Sequence, residues 1–527
     1  MSSLNHKKLS TIFLLIGLSS LISLSSCNKQ EAQAFDLILK NAQLIDGSGE
    51  GLRQASIGIN SDTIAWIGDW YAGLSAKEIL DVSDYHVTPG FIDPHTHTLR
   101  DLQSEDQSRR ANQNYLLQGV TTVVNGNDGR GPVKTAQVLS EMDSMGIGTN
   151  TALLVGHSTV RRLVMGMQER EPNEEELSQM QQLVNVAMEG GALGFSSGLF
   201  YVPASFSKTE EVIALAKVAA EYGGIYDVHL RDESSYNIGL LKAIEETIEI
   251  GRKAQIKAHV AHIKALGVDV WGLSQQVIDI ISQARTEGVL ITADQYPFEA
   301  SSTALAAALV PRWVFADTDN YVERFDDPNL GAQIRTEMAE NLRRRGGPEA
   351  ILLIVAADST YNGQTLQKLA DLNQKEPIEM AIEILKKGGS AIASFNMQED
   401  DIKNFMAQEW VMTSSDGSSA HPRKYASFSR KIEKYVRQDA VLSLEDMVRR
   451  STGLTAEVFG IPQRGVIKVG NYADIIAFRP EEVRAEATYS EPAQLSKGMH
   501  LVIVNGVPVV KDGVYNGKLV GRGLTRD

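Results

Sequence analysis

The chain has 527 residues, 43% of them hydrophobic and 22% charged, which is ample material for a large buried core. A formal net charge of -15 argues against a nucleic-acid partner, since phosphate binding needs a basic surface; an anionic substrate would have to meet a local cluster of Arg and Lys. Cys27 is the only cysteine, so there is no disulfide, and no thiolate is available to an active site. The length suits two to four domains, or one large barrel with an accessory unit.

Residues 1–27 read as a targeting segment. Lys7 and Lys8 form its charged start, and Thr11 to Leu24 is apolar but too short and serine-rich for a stable membrane span. It ends in Leu24-Ser25-Ser26-Cys27, the pattern of a bacterial lipobox with Cys27 as the lipidated residue. The expected location is therefore extracytoplasmic, in the periplasm or outer membrane, with a lipid anchor as the only membrane contact. Asn28 after the cysteine favours outer-membrane sorting in a Gram-negative host. A polar tether follows.

Residues 35–86 then show short strands: Phe35 to Gly47, Ala55 to Ile59 and Thr63 to Ile67. A matching set occurs in 461–527, at Ile467, Ala473 to Phe478, His500 to Val504 and Val507 to Val510, with the hairpin signal Asn505-Gly506. Neither set is large enough to stand alone, so we expect one small β-sandwich built from both termini. Between them, residues 87–460 alternate strand and helix. The expected strands are Val87–Ile92, Val120–Asn125, Thr151–Val155, Ala192–Ser196, Ile225–His229, Ile256–His262, Val289–Asp294 and Trp410–Ser414. Expected helices include Glu174–Met188, Thr209–Tyr222, Ile238–Gly251 and Ser274–Glu287. Eight such units predict a (β/α)8 barrel of the α/β class. Residues 298–405 are too long for one crossover and predict an insertion over the barrel mouth.

Active sites of such barrels lie at the C-terminal strand ends. Reading those ends gives His95 and His97, Asp128, His157, His229, His262, Asp294 and Asp416. Five of only ten histidines fall there. His95 and His97, two apart in an extended segment, point to one side and can reach one metal. Imidazole with carboxylate is the donor set of zinc or a similar divalent ion. Asp93 reads as a turn cap, His157 as a supporting residue, His259 as a packed or hydrogen-bonded histidine that should diverge from His262, and Arg231 with Glu233 as a supporting pair. Gly194-Phe195-Ser196-Ser197-Gly198 fits the G-x-S-x-G elbow of serine hydrolases. The elbow normally leads straight into a helix, whereas here a loop with Pro203 follows.

The ordered motifs resemble the amidohydrolase superfamily, and within it the D-aminoacylases, which are N-acyl-D-amino-acid deacylases. The resemblance runs from Phe35 to the C-terminus. It covers Pro-Gly-Phe-Ile-Asp-Pro-His-Thr-His from Pro89, Gly119 to Val124, Gly191 to Leu199 and His229-Leu230-Arg231-Asp232-Glu233. It continues with His262-Ile263-Lys264, Asp294-Gln295-Tyr296-Pro297, Ser415-Asp416-Gly417 and His421-Pro422-Arg423. It implies a hydrolase of carbon–nitrogen bonds other than peptide bonds, with one or two Zn²⁺ or similar ions. His95 and His97 would hold one position beside Asp416, and His229 and His262 the other. Asp128 stands where the family pattern has a metal-ligating cysteine. A carboxylate is a harder donor than thiolate and cannot be oxidised, which suits a site outside the cytoplasm. The resemblance also implies Asp416 as general base and acid, and substrate contacts at Tyr201, Lys264, Tyr296, Ser302 and Arg423. The D stereochemistry comes from the resemblance alone. Two rivals remain open: an amidohydrolase acting on cyclic amides or dipeptides, and a lipoprotein that binds acyl-amino acids without turnover. Against the cyclic-amide reading, no strand-end lysine sits in a motif suited to a carbamylated bridging ligand.

Overall fold

In the computed structural model, the described residues are 33–318, 320–418 and 420–526. The targeting segment and Cys27 lie outside them. Eight parallel strands form the barrel: Phe91–Asp93, Val120–Asn125, Asn150–Leu153 with its continuation Val155–Gly156, Gly194–Gly198, Ile225–His229, Lys257–Val260, Ile291–Gln295 and Val411–Thr413. The Asn150–Leu153 strand joins the Gly194–Gly198 strand through Leu193 N–H donating to Leu153 O at 2.8 Å. The eighth strand closes on the first through a parallel bridge between Thr96 and Gly417 and through Asp416 N–H donating to His95 O at 2.9 Å. Strands buried on both faces need near-continuous apolar sequence, and Val120–Asn125 is buried throughout.

The outer helices are amphipathic, and one of them has a side-chain cap. Glu174–Glu189 begins with a capping box in which Asn173 and Glu176 satisfy each other's backbone N–H groups. It packs with Thr209–Glu221, Leu240–Ala254 and Ser274–Thr286 against the strands in one large apolar core.

Strands from the two ends of the chain share a continuously hydrogen-bonded sheet of nine strands. Gln33–Leu44, Arg53–Asn60, Thr63–Gly68, Leu74–Asp81 and His86–Pro89 come from the N-terminal side, and Ile475–Phe478, Met499–Val504, Val507–Lys511 and Val514–Tyr515 from the C-terminal side. Asn505 and Gly506 take φ of 49° and 77°, the left-handed pair that a tight hairpin requires. Leu74–Asp81 was not anticipated, because its side chains are largely exposed and lack an apolar rhythm. Ile467 forms no strand; its N–H donates to Asp46 O at 2.9 Å.

The expected strand Val87–Ile92 is in fact divided. His86–Pro89 pairs antiparallel with Ile475–Phe478 in the terminal sheet, and the barrel strand starts at Phe91. Gly90 makes the transition. A Cβ there would lie 2.2 Å from Thr121 Oγ1, so only glycine allows this close crossing. Between the seventh and eighth strands, Ala300–Ala304, Ile351–Ala356 and Ser390–Phe395 form an antiparallel sheet with its own helices and apolar core. Residues of this insertion, among them Ser302, Thr303 and Val355, form one wall of the cavity over the barrel. Among the described residues, no helix is long and apolar enough to cross a membrane.

Candidate metal centre

At the C-terminal ends of the strands, four imidazoles converge on one carboxylate. Asp128 Oδ1 lies 3.6 Å from His95 Nε2, 3.5 Å from His229 Nδ1 and 3.5 Å from His262 Nε2, and its Oδ2 lies 3.4 Å from His97 Nε2. Asp128 reaches this position through a turn, Gly126-Asn127-Asp128-Gly129, in which its own φ is 57°. At Gly126 a Cβ would meet Leu154 O at 2.3 Å, so the turn lies directly against the third strand. Asn127 fastens it from below, donating to Pro94 O at 3.0 Å and to Asp227 Oδ2 at 3.2 Å. Asp416 enters from the eighth strand. Its Oδ1 stands 3.1 Å from His97 Nε2 and 3.7 Å from His95 Nε2, and its Oδ2 is 2.8 Å from Arg423 Nη1.

The backbone beneath these groups is held by two further carboxylates. Asp93 Oδ1 accepts from His95 N–H and Ser415 N–H, both at 3.1 Å, and so ties the first strand end to the eighth. Burial pushes the Asp93 carboxyl up to about 8. Asp294 Oδ1 accepts from His262 N–H at 2.8 Å and from the Ser414 hydroxyl; its Oδ2 is 2.8 Å from His259 Nε2. His259 is hydrogen-bonded to Asp294 and Thr292 and packed against Phe459, whereas the His262 ring reaches the metal centre. The strand ends at Val260, and the left-handed φ of 36° at His262 turns the imidazole to the site although the spacing is odd.

Protonation at the centre follows from burial set against charge. Burial keeps His95 neutral, lowering it to about 3 despite the nearby carboxylates. For His97, burial is outweighed by hydrogen bonds to Asp128 and Asp416, which raise it to about 9. Burial alone would raise Asp416, but Arg423 and the histidines hold it well below the usual carboxylate range. Glu233 is held down likewise, with Lys264 Nζ at 2.5 Å.

His95 Nε2 and Asp128 Oδ1 are buried without a hydrogen-bond partner. Such atoms are costly to bury unless something binds them. Neutral imidazole is also the form that ligates a metal. Donor atoms of three sets, Asp128 with His229 and His262, Asp128 with His95 and His97, and His95 with His262 and Asp416, each lie within 4.8 Å of one another. A fourth set, His95 with Asp227 and Asp294, lies deeper; the residues thus fit a divalent cation, and Asp128 belongs to two of the four sets.

The cavity above has a volume of about 570 Å³, and Tyr201, Lys264, Tyr296, Ser302 and Arg423 all line it. Lys264 Nζ lies 2.7 Å from His262 Nδ1, and the Tyr201 and Thr303 hydroxyls are 3.4 Å apart. His157 is away from the centre, 2.8 Å from Glu211. Arg231 and Glu233 do not pair. Arg231 binds Glu246 at 2.8 Å, whereas Glu233 faces Lys264, His229 and His262, because the strand ends at His229 and the loop beyond it does not keep the same-side relation of residues two apart. Asp227 was overlooked, although its i, i+2 relation to His229 puts it on the same side of a strand. Ser196 lies within the fourth strand; its hydroxyl donates to Gly126 O and accepts from Gly129 N–H at 3.1 Å. It has no histidine partner among the described residues and is not a nucleophile elbow.

An amidohydrolase family model matches residues 78–510, and the chain belongs to that family. It is 32% identical over 526 residues to the D-aminoacylase of Alcaligenes xylosoxydans xylosoxydans, covering 95% of this chain and 99% of that one. It is 30% identical over 515 residues to the N-acyl-D-aspartate deacylase of the same organism, covering 92% and 93% of the two chains. A solved structure of N-acyl-D-glutamate deacylase from Bordetella bronchiseptica, complexed with zinc and a phosphonate mimic of the tetrahedral intermediate, matches with a TM-score of 0.80. Its identity is 29%, and the match covers 94% of this chain and 100% of that one.

The raised His97 gives a pH dependence with a definite sign. A cation that uses this imidazole must displace its proton, so affinity rises from pH 7 to about 9 and flattens above. Calorimetric titration in buffers of different ionisation enthalpy should show proton release at pH 7, from His97 and also from His262, which nearby carboxylates raise to about 10. Uptake with no proton release at pH 7 would contradict the protonated state of His97.

Proposed function

We propose that this chain hydrolyses the amide bond of N-acyl-D-amino acids, releasing a carboxylate and the free D-amino acid. It is a hydrolase of carbon–nitrogen bonds other than peptide bonds. The observation that carries the reading is a cluster of four histidines and two carboxylates flooring a cavity whose wall holds Lys264 and Arg423. Similarity to deacylases of this type extends over nearly the whole chain. The zinc in the related deacylase structure and the donor set here support one or two zinc or similar ions. His95, His97, Asp128, His229, His262 and Asp416 would hold them.

A bound zinc ion supplies Lewis acidity, polarising a carbonyl and lowering the pKa of water to about 7. The chain's own residues do the rest. Asp416, kept ionised by Arg423, accepts the water proton and passes it to the leaving amine. Lys264, Tyr296 and Arg423 gather the substrate carboxylate; guanidinium binds carboxylate in a two-pronged way that ammonium cannot. Arg423 stands over the Tyr296 ring with its guanidinium carbon 4.6 Å from the centroid, and Lys264 Nζ lies 5.7 Å from the same ring, so three groups converge. Ser302 borders this region, its backbone oxygen 3.5 Å from Arg423 Nη2, and Tyr201 stands near the scissile bond.

The zinc-loaded protein, assayed for released amine with acetylated D- and L-amino acids and with cyclic amides, should turn over the D series. Turnover confined to cyclic amides or to the L series would overturn the reading. Asp416→Asn should lower kcat by about a hundredfold or more with metal still bound. Substantial retained activity would refute the general-base role.

Lipid attachment at Cys27, with anchoring on an extracytoplasmic membrane face, is a further part of the proposal. Its support is the sequence: Lys7 and Lys8, the short apolar run and Leu24-Ser25-Ser26-Cys27. Radiolabelled fatty-acid precursor should label the wild-type protein and not Cys27→Ser; label on the variant would sink the assignment.

A further inference from the structure

Between the strands Ile475–Phe478 and Met499–Val504 the chain leaves the terminal sheet for a long excursion. It is fastened to the helical segment after the eighth barrel strand: Ala485 N–H donates to Glu433 Oε2 at 2.9 Å, and the Ser496 hydroxyl to Tyr425 O at 2.8 Å. Between these ties, Tyr489 enters a seam between two other elements. Its ring centroid lies 4.7 Å from that of Phe395, on the insertion strand Ser390–Phe395. On the other side it lies 5.2 Å from that of His421, in the loop after the eighth strand. The ring planes are inclined by 60° and 89°, the edge-on arrangement that aromatic pairs favour. Phe298 completes the packing, 6.4 Å from Tyr489 and 5.8 Å from His421.

Each of these three neighbours bears on Arg423. The buried His421 accepts from Arg423 N–H through Nδ1 at 3.1 Å, and so fixes the arginine backbone. Phe395 pairs in register with Ala300, on the strand whose Ser302 O lies 3.5 Å from Arg423 Nη2. Phe298 shares one apolar cluster with Tyr489 and Tyr296, and the Arg423 guanidinium stands 4.6 Å from the Tyr296 ring centroid. Backbone, acceptor oxygen and ring face are thus braced together by one side chain that does not itself line the cavity. A guanidinium grips a carboxylate through directional paired hydrogen bonds, so a small displacement of its frame weakens the grip.

We propose that Tyr489 is a positioning residue for recognition of the substrate carboxylate: a side chain from the terminal domain that sets Arg423 without touching the substrate. This rests on the deacylase reading above. On the zinc-loaded full chain, the best-cleaved N-acetyl-D-amino acid is compared with its carboxamide, which lacks the carboxylate. In Tyr489→Ala the kcat/KM preference for the acid over the amide should fall about fivefold or more, chiefly through KM of the acid, with kcat changed less than about threefold. Tyr489→Phe keeps the ring and should hold the preference within about twofold of wild type. A merely structural role would lower the active fraction, and with it turnover of acid and amide alike. An unchanged ratio in Tyr489→Ala, or a Phe variant as impaired as the Ala one, overturns the assignment. Should Tyr489→Ala not fold, Phe395→Leu loosens the same seam at a residue that is 40% exposed, and the same ratio is read. If no N-acetyl-D-amino acid is cleaved, the deacylase reading fails, and calorimetric binding of D-leucine judges the positioning by itself. The Ala variant should then bind at least about fivefold more weakly than wild type. Equal binding, or none by the wild type, overturns the proposal.

Discussion

The structure depends on gathering four histidines around one buried carboxylate. Burying ionisable groups is unfavourable unless opposite charge or ligation compensates, and here two more carboxylates, Asp416 and Glu233, crowd the same space. Internal pairing meets part of the demand: Arg423 meets Asp416, and Lys264 meets Glu233. Among the described residues, Asp128 meets no Arg or Lys but the protonated His97 and the other imidazoles, whose place at its oxygens a divalent ion would take. The backbone shows the same compromise. Asp128, His262 and Asp416 have φ of 57°, 36° and 45°, a region that non-glycine residues seldom occupy. Three strained residues at one site point to a geometry selected for chemistry, with stability supplied by the surrounding barrel.

Two carboxylates hold strand ends beneath the centre. Asp93 bridges the first and eighth strand ends, and Asp294 gathers the His262 backbone, the His259 ring and the Ser414 hydroxyl. These contacts place the ligating rings through the chain, so the outer layer carries the precision of the inner one. The insertion has a different task. It places Ser302 and Thr303 in the wall of the cavity, over a floor that the barrel has already completed.

Much of this was legible in the sequence because parallel barrels have simple local signals. Buried strands such as Thr151–Val155 read as apolar runs, and residues at their ends fall where the active face must be. Asp128 and Asp416 were among those strand-end residues, and the resemblance to the family added their roles, which no spacing rule assigns. Features set by long-range contact were not legible. The break at Gly90 depends on Thr121 pressing against the chain, and nothing local distinguishes that glycine from one inside a turn. Glu233 looked like a partner for its neighbour Arg231; only folding shows that Lys264 takes it and Glu246 takes the arginine. His262 broke the strand parity because a positive φ re-aimed it.

The claim most exposed to test is that Asp128 organises the metal centre. Zinc titrated by calorimetry into Asp128→Asn beside the wild-type protein measures this directly. The account predicts affinity lowered by about a hundredfold or more, since even outer partners of metal ligands contribute ten- to a hundredfold. Wild-type affinity and stoichiometry in the variant would show that the four imidazoles hold the metal without it.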